Sequence, residues 1–292
     1  MNDPEQVSNS NPTNLTNKQK IAVTVLTRGY QNLYQYNTLI KRNVYIENNI
    51  GSLQGIDIVI FHEGNISEPQ QNYISKFTPT LNLIFICIKE HAFKESKREI
   101  SIFEPTSSFG LNYRHMCSFW FVDFWHYVKE YDLIIRIDED CTIEFNIPEL
   151  FYVLQSKAAI YGAWTRDHDF VTHGLNKFTQ RFIKETINPN PKVQTKTQII
   201  PHRPSGPYTN VFGLNLKRLR ENVLLQKYIE KVKVMDYIYI FRWGDLPLWG
   251  EALYYFCPNN YMKYDRIKYF HGSHNFHVGG DPNKINFKQM LL

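Results

Sequence analysis

Four short runs of apolar, largely β-branched residues set the frame for this chain: Ile21 to Leu26, Ile56 to Phe61, Leu81 to Ile88 and Leu133 to Ile137. Each suits one buried strand. The first two stop at polar or glycine-bearing segments, Thr27-Arg28-Gly29 and His62-Glu63-Gly64-Asn65. Between them, Tyr30 to Asn48 spaces its apolar and aromatic residues helically. Strand and helix alternating at such short intervals predict a parallel sheet with crossover helices. In an open α/β sheet, ligands gather beyond the carboxyl ends of the strands. The residues that follow each run are therefore the first place to look for function.

The fourth run ends most abruptly, at Asp138, Glu139 and Asp140. Side chains alternate along a strand, so Asp138 and Asp140 point the same way if the extended geometry persists. Two hard carboxylates on one side are a minimal seat for Mg²⁺ or Mn²⁺, which can hold the phosphates of a nucleotide. Acids are also common turn residues, so a lone D-x-D equally describes a solvated turn.

Further along, Tyr113 to Val128 is strongly aromatic, with Phe119, Trp120, Phe121, Phe124, Trp125 and Tyr127, and predicts a buried helix. Ile147 to Leu154 reads as a helix and Ala158 to Gly162 as a strand. Asn188 to Pro207 holds most of the punctuation of the chain and predicts a long loop, whether lid, binding loop or disordered segment. Tyr208 to Leu214 resumes an extended run, Leu216 to Val232 follows as a charged helix, and Leu248 to Phe256 reads as another helix. With no repeat and no clear linker, residues 21–280 form one domain, after a polar leader at 1–20 read as disordered and before a tail at 281–292.

Composition narrows the classes. Over 292 residues, 43% are hydrophobic and 15% aromatic, which is globular rather than disordered. The net charge of +5 is mild and scattered. No arginine-rich arm, zinc-finger spacing or RNA-binding signature is present, so no nucleic-acid partner is expected. Four cysteines without a C-x-x-C pair argue against a zinc site. Cys87 reads as a small buried hydrophobe, while a Cys117–Cys141 or Cys141–Cys257 bridge stays open. The leader lacks a signal-peptide core and no window reaches membrane-spanning length, so no integral membrane segment is expected and a soluble, cytoplasmic protein is favoured. The sequons at Asn14 and Asn65 would matter only in a secretory lumen.

Four islands carry a more specific message: Tyr113-Arg-His-Met-Cys-Ser-Phe119, Arg136-Ile-Asp-Glu-Asp-Cys141, Arg242-Trp-Gly-Asp-Leu-Pro247 and Tyr269-Phe-His-Gly-Ser-His274. With Thr209-Asn-Val-Phe-Gly213, their order and separation resemble glycosyltransferase family 15, the fungal α-1,2-mannosyltransferases that use GDP-mannose and Mn²⁺. R-W-G-D-L-P is the most specific part, and the resemblance runs from about Ile21 to His274. It implies a GT-A-like α/β fold, with a Rossmann-type nucleotide-binding half fused to an acceptor-binding half around one mixed, largely parallel sheet. It also implies a nucleotide-sugar donor, GDP-mannose, and a glycan or glycoprotein acceptor.

On the same resemblance, Arg28, Tyr113, Asp138, Asn210, Arg242 and Trp243 meet the nucleotide sugar. Asp138, Asp140 and His271 hold Mn²⁺ or Mg²⁺, a donor set that suits Mn²⁺ better than Ca²⁺. Asp245 serves the reaction by meeting a sugar hydroxyl, with a helix N-cap as its structural alternative.

Three positions depart from the family. Phe212 stands where the family has the glutamate proposed as a nucleophile, and a phenyl ring cannot attack an anomeric carbon. Asp138-Glu139 replaces a Glu-Pro pair, and Ser118 replaces an arginine. Transfer on the donor's own face, without a protein adduct, is then the preferred mechanism. Two other readings accommodate parts of the pattern. A sugar- or nucleotide-binding protein without activity accounts for Phe212. A metal-dependent nucleotidyltransferase or phosphohydrolase accounts for the acidic triplet, but needs further acidic ligands for a second metal.

Overall fold

The computed structural model of the chain describes residues 19–51, 55–187 and 203–279. Residues 1–18 of the expected leader, with its sequon at Asn14, residues 188–202 of the expected long loop, and the tail lie outside the described residues, while the end of that loop forms β8. Twelve strands are described: β1 (Ile21–Leu26), β2 (Ile56–His62), β3 (Asn82–Cys87), β4 (Leu133–Ile137), β5 (Cys141–Ile143), β6 (Ala159–Tyr161), β7 (Trp164–Arg166), β8 (Ser205–Pro207), β9 (Val211–Asn215), β10 (Tyr261–Lys263), β11 (Tyr269–His271) and β12 (Phe276–Val278). The α-helices are α1 (Asn37–Asn49), α2 (Glu68–Ser75), α3 (Leu111–Ser118), α4 (Ile147–Gln155), α5 (Leu175–Ile187), α6 (Leu216–Glu221), α7 (Val223–Met235), α8 (Tyr237–Phe241) and α9 (Asp245–Phe256).

Seven strands form one sheet in the order β10-β6-β9-β4-β1-β2-β3. The four apolar runs become β1 to β4, paired in parallel, and β9 enters antiparallel between β4 and β6. The expected mixed, largely parallel sheet is what the chain forms. All five residues of β4 are buried, as a central strand covered on both faces requires. Its alternation assigns the faces. Ile134 packs with Phe212, Trp249 and the aromatic stretch around Trp120, whereas Leu133, Ile135 and Ile137 pack with Leu150, Phe151 and Tyr269. Arg136 shares the face of Ile134, and that placement governs the site.

The aromatic stretch is not one helix. α3 ends at Ser118, the chain widens into a π turn over Phe119–Asp123, and a 3-10 turn follows over Phe124–His126. Phe119, Trp120, Phe121 and Phe124 are all buried. A regular helix turns consecutive side chains away from one another, and a single π turn relaxes that constraint. The charged helix after β9 is likewise interrupted. Asn222 stops α6 and caps α7, its side chain accepting from Leu225 N at 3.0 Å. Cys87 is exposed rather than buried, because β3 is the edge strand of the sheet. All four cysteines are free, so neither bridge left open by the sequence forms.

Two glycines seat the last long helix. A Cβ on Gly250 would lie 1.7 Å from Ser205 O, and one on Gly206 would lie 1.9 Å from Leu246 O. β8 therefore runs directly on the backbone of α9, with no room for a side chain between them. Among the described residues no helix is long and apolar enough to cross a membrane.

Candidate functional site

A cleft of about 1100 Å³ opens at the carboxyl ends of β1 and β4, where a parallel sheet places its ligands. Arg28, Tyr113, Asp138, Asp140, Asn210, Arg242 and His271 all line it. Seven of the nine residues singled out from the sequence are thus brought together from segments far apart in the chain. Asp245 and Trp243 do not line it.

The acidic triplet does not continue β4. The chain turns at once, with Cys141 N donating to Asp138 O at 3.1 Å, before β5 begins. The turn breaks the alternation that would have kept Asp138 and Asp140 on one side. Asp138 stays on the face of Arg136, which grips it twice: Nε to Oδ1 at 2.7 Å and Nη2 to Oδ2 at 3.0 Å. The third arm of Arg136 reaches Asp245 Oδ2 at 2.6 Å, and the guanidinium lies 4.3 Å over the Trp120 ring. Burial alone would lower the pKa of Arg136, but the two carboxylates outweigh it and raise it, so the cation is locked on.

This arrangement revises two expectations. Asp138 is engaged as the partner of a buried cation and lies outside the cluster of metal-capable side chains. Asp245 sits in the first turn of α9, beyond Gly244 as the N-cap, with its carboxylate buried beneath the cleft on Arg136. It is neither the cap nor a group exposed to a ligand.

Asp140 crosses to the other side of the turn and meets the end of β11. Its Oδ2 lies 3.3 Å from His271 Nε2 and accepts from Ser273 N at 2.9 Å. Burial would push the Asp140 carboxyl up, yet the hydrogen bonds from His271 and Ser273 hold it well below the usual carboxylate range. His271 is buried, and Tyr208 OH contacts its Nδ1 at 2.7 Å, which fixes the ring so that Nε2 faces Asp140. Asn210 joins the two halves, its Nδ2 lying 3.1 Å from Asp138 Oδ2 and 3.2 Å from His271 Nε2.

Among the described residues, Asp140, Cys141 and His271 bring ligand atoms within 4.8 Å of one another. Cys141 faces His271 across the β5–β11 pair. Burial pushes its thiol well up, which leaves it a weak donor for a hard ion. Asn210 Oδ1 is buried with no hydrogen-bond partner among the described residues. A carboxylate and an imidazole in contact, with the amide group of Asn210 against the imidazole, fit a divalent cation of mixed oxygen and nitrogen preference, such as Mn²⁺.

The flanks carry the remaining candidates. Arg28 is exposed at the lip, its guanidinium 5.1 Å over the Tyr30 ring. Tyr30 OH in turn donates to Glu139 Oε1 at 2.5 Å, and Thr27 Oγ1 donates to Glu139 Oε2. On the opposite flank, Arg242 is buried between Phe109 and Tyr113, 4.2 and 4.6 Å from their ring centres. It donates to Tyr113 OH at 2.7 Å and to Asp167. The left-handed backbone of Arg242, φ 61°, turns its side chain one way and that of Trp243 the other. Trp243 is therefore in the core, 1% exposed, with Nε1 bonded to His173 O at 2.9 Å. The expectation that it meets the ligand fails for that reason.

Several site residues left no mark in the sequence. Arg42, on α1, is fully buried beneath the strand ends, where Nε donates to Ile137 O at 2.9 Å and Nη2 to Thr24 O at 3.1 Å. Desolvation lowers its pKa to about 9. It ties the carboxyl ends of β1 and β4 together just before both reach the cleft. A lone arginine in a helical stretch gives no hint of this. Tyr208 adjoins the Thr209–Gly213 island and Ser273 lies within the Tyr269–His274 island, and their nearness to Asn210 and His271 was the available signal.

Solved structures share this architecture. The mannosyltransferase Ktr4p from Saccharomyces cerevisiae matches with a TM-score of 0.69 at 18% identity, over 87% of this chain and 70% of that one. The same enzyme in complex with GDP matches with a TM-score of 0.69 at 17% identity, over 87% and 71%. Core-mannan synthase A from Aspergillus fumigatus, in an Mn/GDP form, gives 0.69 at 14% identity, over 93% and 81%. At such identities the likeness establishes the fold, which is GT-A-like α/β. No family model and no curated protein sequence matches the chain.

Proposed function

We propose that the chain is a metal-dependent glycosyltransferase that moves a sugar, mannose from GDP-mannose, onto a glycan or glycoprotein hydroxyl with retention of configuration. The observation that carries this reading is the Asp140–His271 pair with the Asn210 amide against it, at the strand ends of a GT-A-like sheet. Two solved structures of the same fold hold GDP, one of them with Mn. The donor sugar rests on the resemblance of the sequence islands.

In this reading Asp140 and His271 hold Mn²⁺ or Mg²⁺, with Asn210 as a further oxygen donor. The ion, when bound, supplies positive charge to the departing diphosphate. Arg28, exposed at the lip, pairs with the diphosphate from the other side. Tyr113, exposed at the opposite flank, offers its ring to the donor. Arg136 and Asp245 act beneath the site by holding Asp138 in place, so Asp245 is a positioning residue and not a catalytic one.

Phe212 is 1% exposed and packs edge-on against Trp249, 5.6 Å between ring centres. No carboxylate occupies that position, which argues against a covalent sugar–enzyme adduct there. Transfer on one face requires none. The bond from the anomeric carbon to the diphosphate oxygen breaks, the acceptor oxygen bonds to that carbon on the same face, and the acceptor proton passes to the departing diphosphate. Holding the acceptor in line is then the main task of the protein.

The test is a donor-hydrolysis and donor-binding screen over nucleotide sugars, with and without Mn²⁺, on wild type and Asp140→Ala. The proposal expects Mn²⁺-dependent binding and turnover of one donor, both lost in the variant. Indifference to Asp140→Ala, or no donor bound at all, removes its centre. Binding without turnover on any acceptor selects the second reading, an inactive nucleotide-sugar binder, which Phe212 favours.

A further inference from the structure

A second cavity, of about 310 Å³, lies on the other side of the chain segment that carries Arg242. Arg242 lines the cleft, while Phe241 and Trp243 on either side of it line this cavity. Its wall is a set of rings in mutual contact. Trp243 lies 5.3 Å from Phe178, 5.0 Å from Tyr237 and 6.1 Å from Phe241, and its indole nitrogen is tied to His173 O. Rings held this way form a fixed apolar wall, in which Trp243 is buried and Phe178, Tyr237 and Phe241 are partly exposed.

The rim has a different chemistry. Lys177 and Arg181 stand four residues apart on α5, hence on one face of it, and Lys231 reaches in from α7. All three are exposed, and none makes a hydrogen bond or ion pair with a described residue. Basic residues nearby differ: Lys233 pairs with Glu230, and Lys97 with Asp236. One acid, Glu185, also lines the cavity, leaving the cations in excess by three to one.

We infer that this cavity is a binding site for an anionic saccharide. The sugar ring lies on the partly exposed rings of Phe241, Tyr237 and Phe178, backed by the buried Trp243, and the phosphate or carboxylate sits among Lys177, Arg181 and Lys231. The volume suits a ligand of about one sugar unit, at the lower end of the range for small-molecule sites. Planar wall and charged rim each explain half of such a ligand. A neutral glycan leaves the cations without a role, and inorganic phosphate leaves the rings without one. The inference does not rest on the transfer activity proposed for the cleft.

The experiment is a tryptophan-fluorescence and calorimetric titration of the full chain with a hexose phosphate, the free hexose and inorganic phosphate. The hexose phosphate is expected to bind tightest of the three. Lys177→Glu with Arg181→Glu should weaken it at least about tenfold, and Lys231→Glu alone severalfold, through loss of charge-assisted bonds. Arg28→Glu, at the lip of the cleft, should leave it within about twofold. The substituted residues are exposed, so thermal midpoints close to wild type will show that the fold is intact. The inference is overturned if Arg28→Glu, not the α5 pair, abolishes binding, since the ligand then sits in the cleft. It is equally overturned if inorganic phosphate binds as tightly as the hexose phosphate, or if none of the three binds at millimolar concentration.

Discussion

Asp140 and His271 meet at 3.3 Å across 131 positions of chain, one at the turn that ends β4 and the other at the end of β11. Because Tyr208 holds the far nitrogen of the imidazole, the near one has a single orientation toward the carboxylate. Asp140→Asn keeps the shape and removes the charge. Its Mn²⁺ affinity, read by electron paramagnetic resonance or calorimetry, should fall at least about tenfold, and Tyr208→Phe should lower it by a smaller factor. Wild-type affinity in Asp140→Asn would place the ion elsewhere.

Arg136 joins two carboxylates in the interior, and truncating either partner leaves a buried charge with less to satisfy it. Asp245→Ala should lower stability to chemical denaturation by about 3–5 kcal/mol. A residue acting only on a ligand would change turnover and leave stability near wild type, so this measurement separates the positioning role from the catalytic one.

Gly250 lies within a helix, where alanine is ordinarily better by about 1 kcal/mol. Here the added methyl would lie 1.7 Å from the Ser205 carbonyl oxygen, and backbone cannot yield as a flexible side chain can. We expect Gly250→Ala to destabilise, reversing the propensity, by about 2 kcal/mol or more. A stabilised Gly250→Ala would show that β8 does not rest on α9.

Phe212 fills the space against Trp249, and Phe212→Ala should cost about 3–5 kcal/mol in urea unfolding. Donor binding by the residual folded protein should be unchanged, because the ring is buried and does not line the cleft. A loss of affinity with unchanged stability would instead make it part of the site.

His115 supplies a pH dependence that is independent of the site. It is buried, stacked 4.9 Å from Phe93, with Nδ1 3.0 Å from Tyr239 OH. Burial lowers its pKa from 6.5 to about 4. The unfolded chain therefore takes up the proton first, so this contribution is complete above pH 6.5 and is lost as pH falls toward 4. The displacement limits it to about 3 kcal/mol. Asp123, raised by burial from 3.8 to about 6, has the opposite slope, complete below 3.8 and lost as pH rises through 6. Comparing wild type with His115→Asn by denaturation from pH 7 to 4 isolates the histidine, with the variant gaining relative to wild type as pH falls. Parallel curves would refute the assignment.

The sheet was legible in the linear chain because period and chemistry are local. Ile21–Leu26 and Leu133–Ile137 are apolar apart from Thr24 and Arg136, and strands covered on both faces use such runs. The acidic stop after Ile137 likewise announced a site at a strand end. What the chain could not disclose was the parity of that stop. The turn at Asp138 to Asp140 sends one carboxylate to Arg136 and the other to His271, and a partner 131 positions away leaves no periodic trace. The same limit hid the burial of Trp243, decided by a left-handed residue at Arg242, and the role of Arg42 beneath the strand ends. Local sequence determined which elements form and where the sheet presents polar residues. Tertiary packing alone decided which of those residues face the cleft, because only the folded chain brings their neutralising partners within hydrogen-bonding distance.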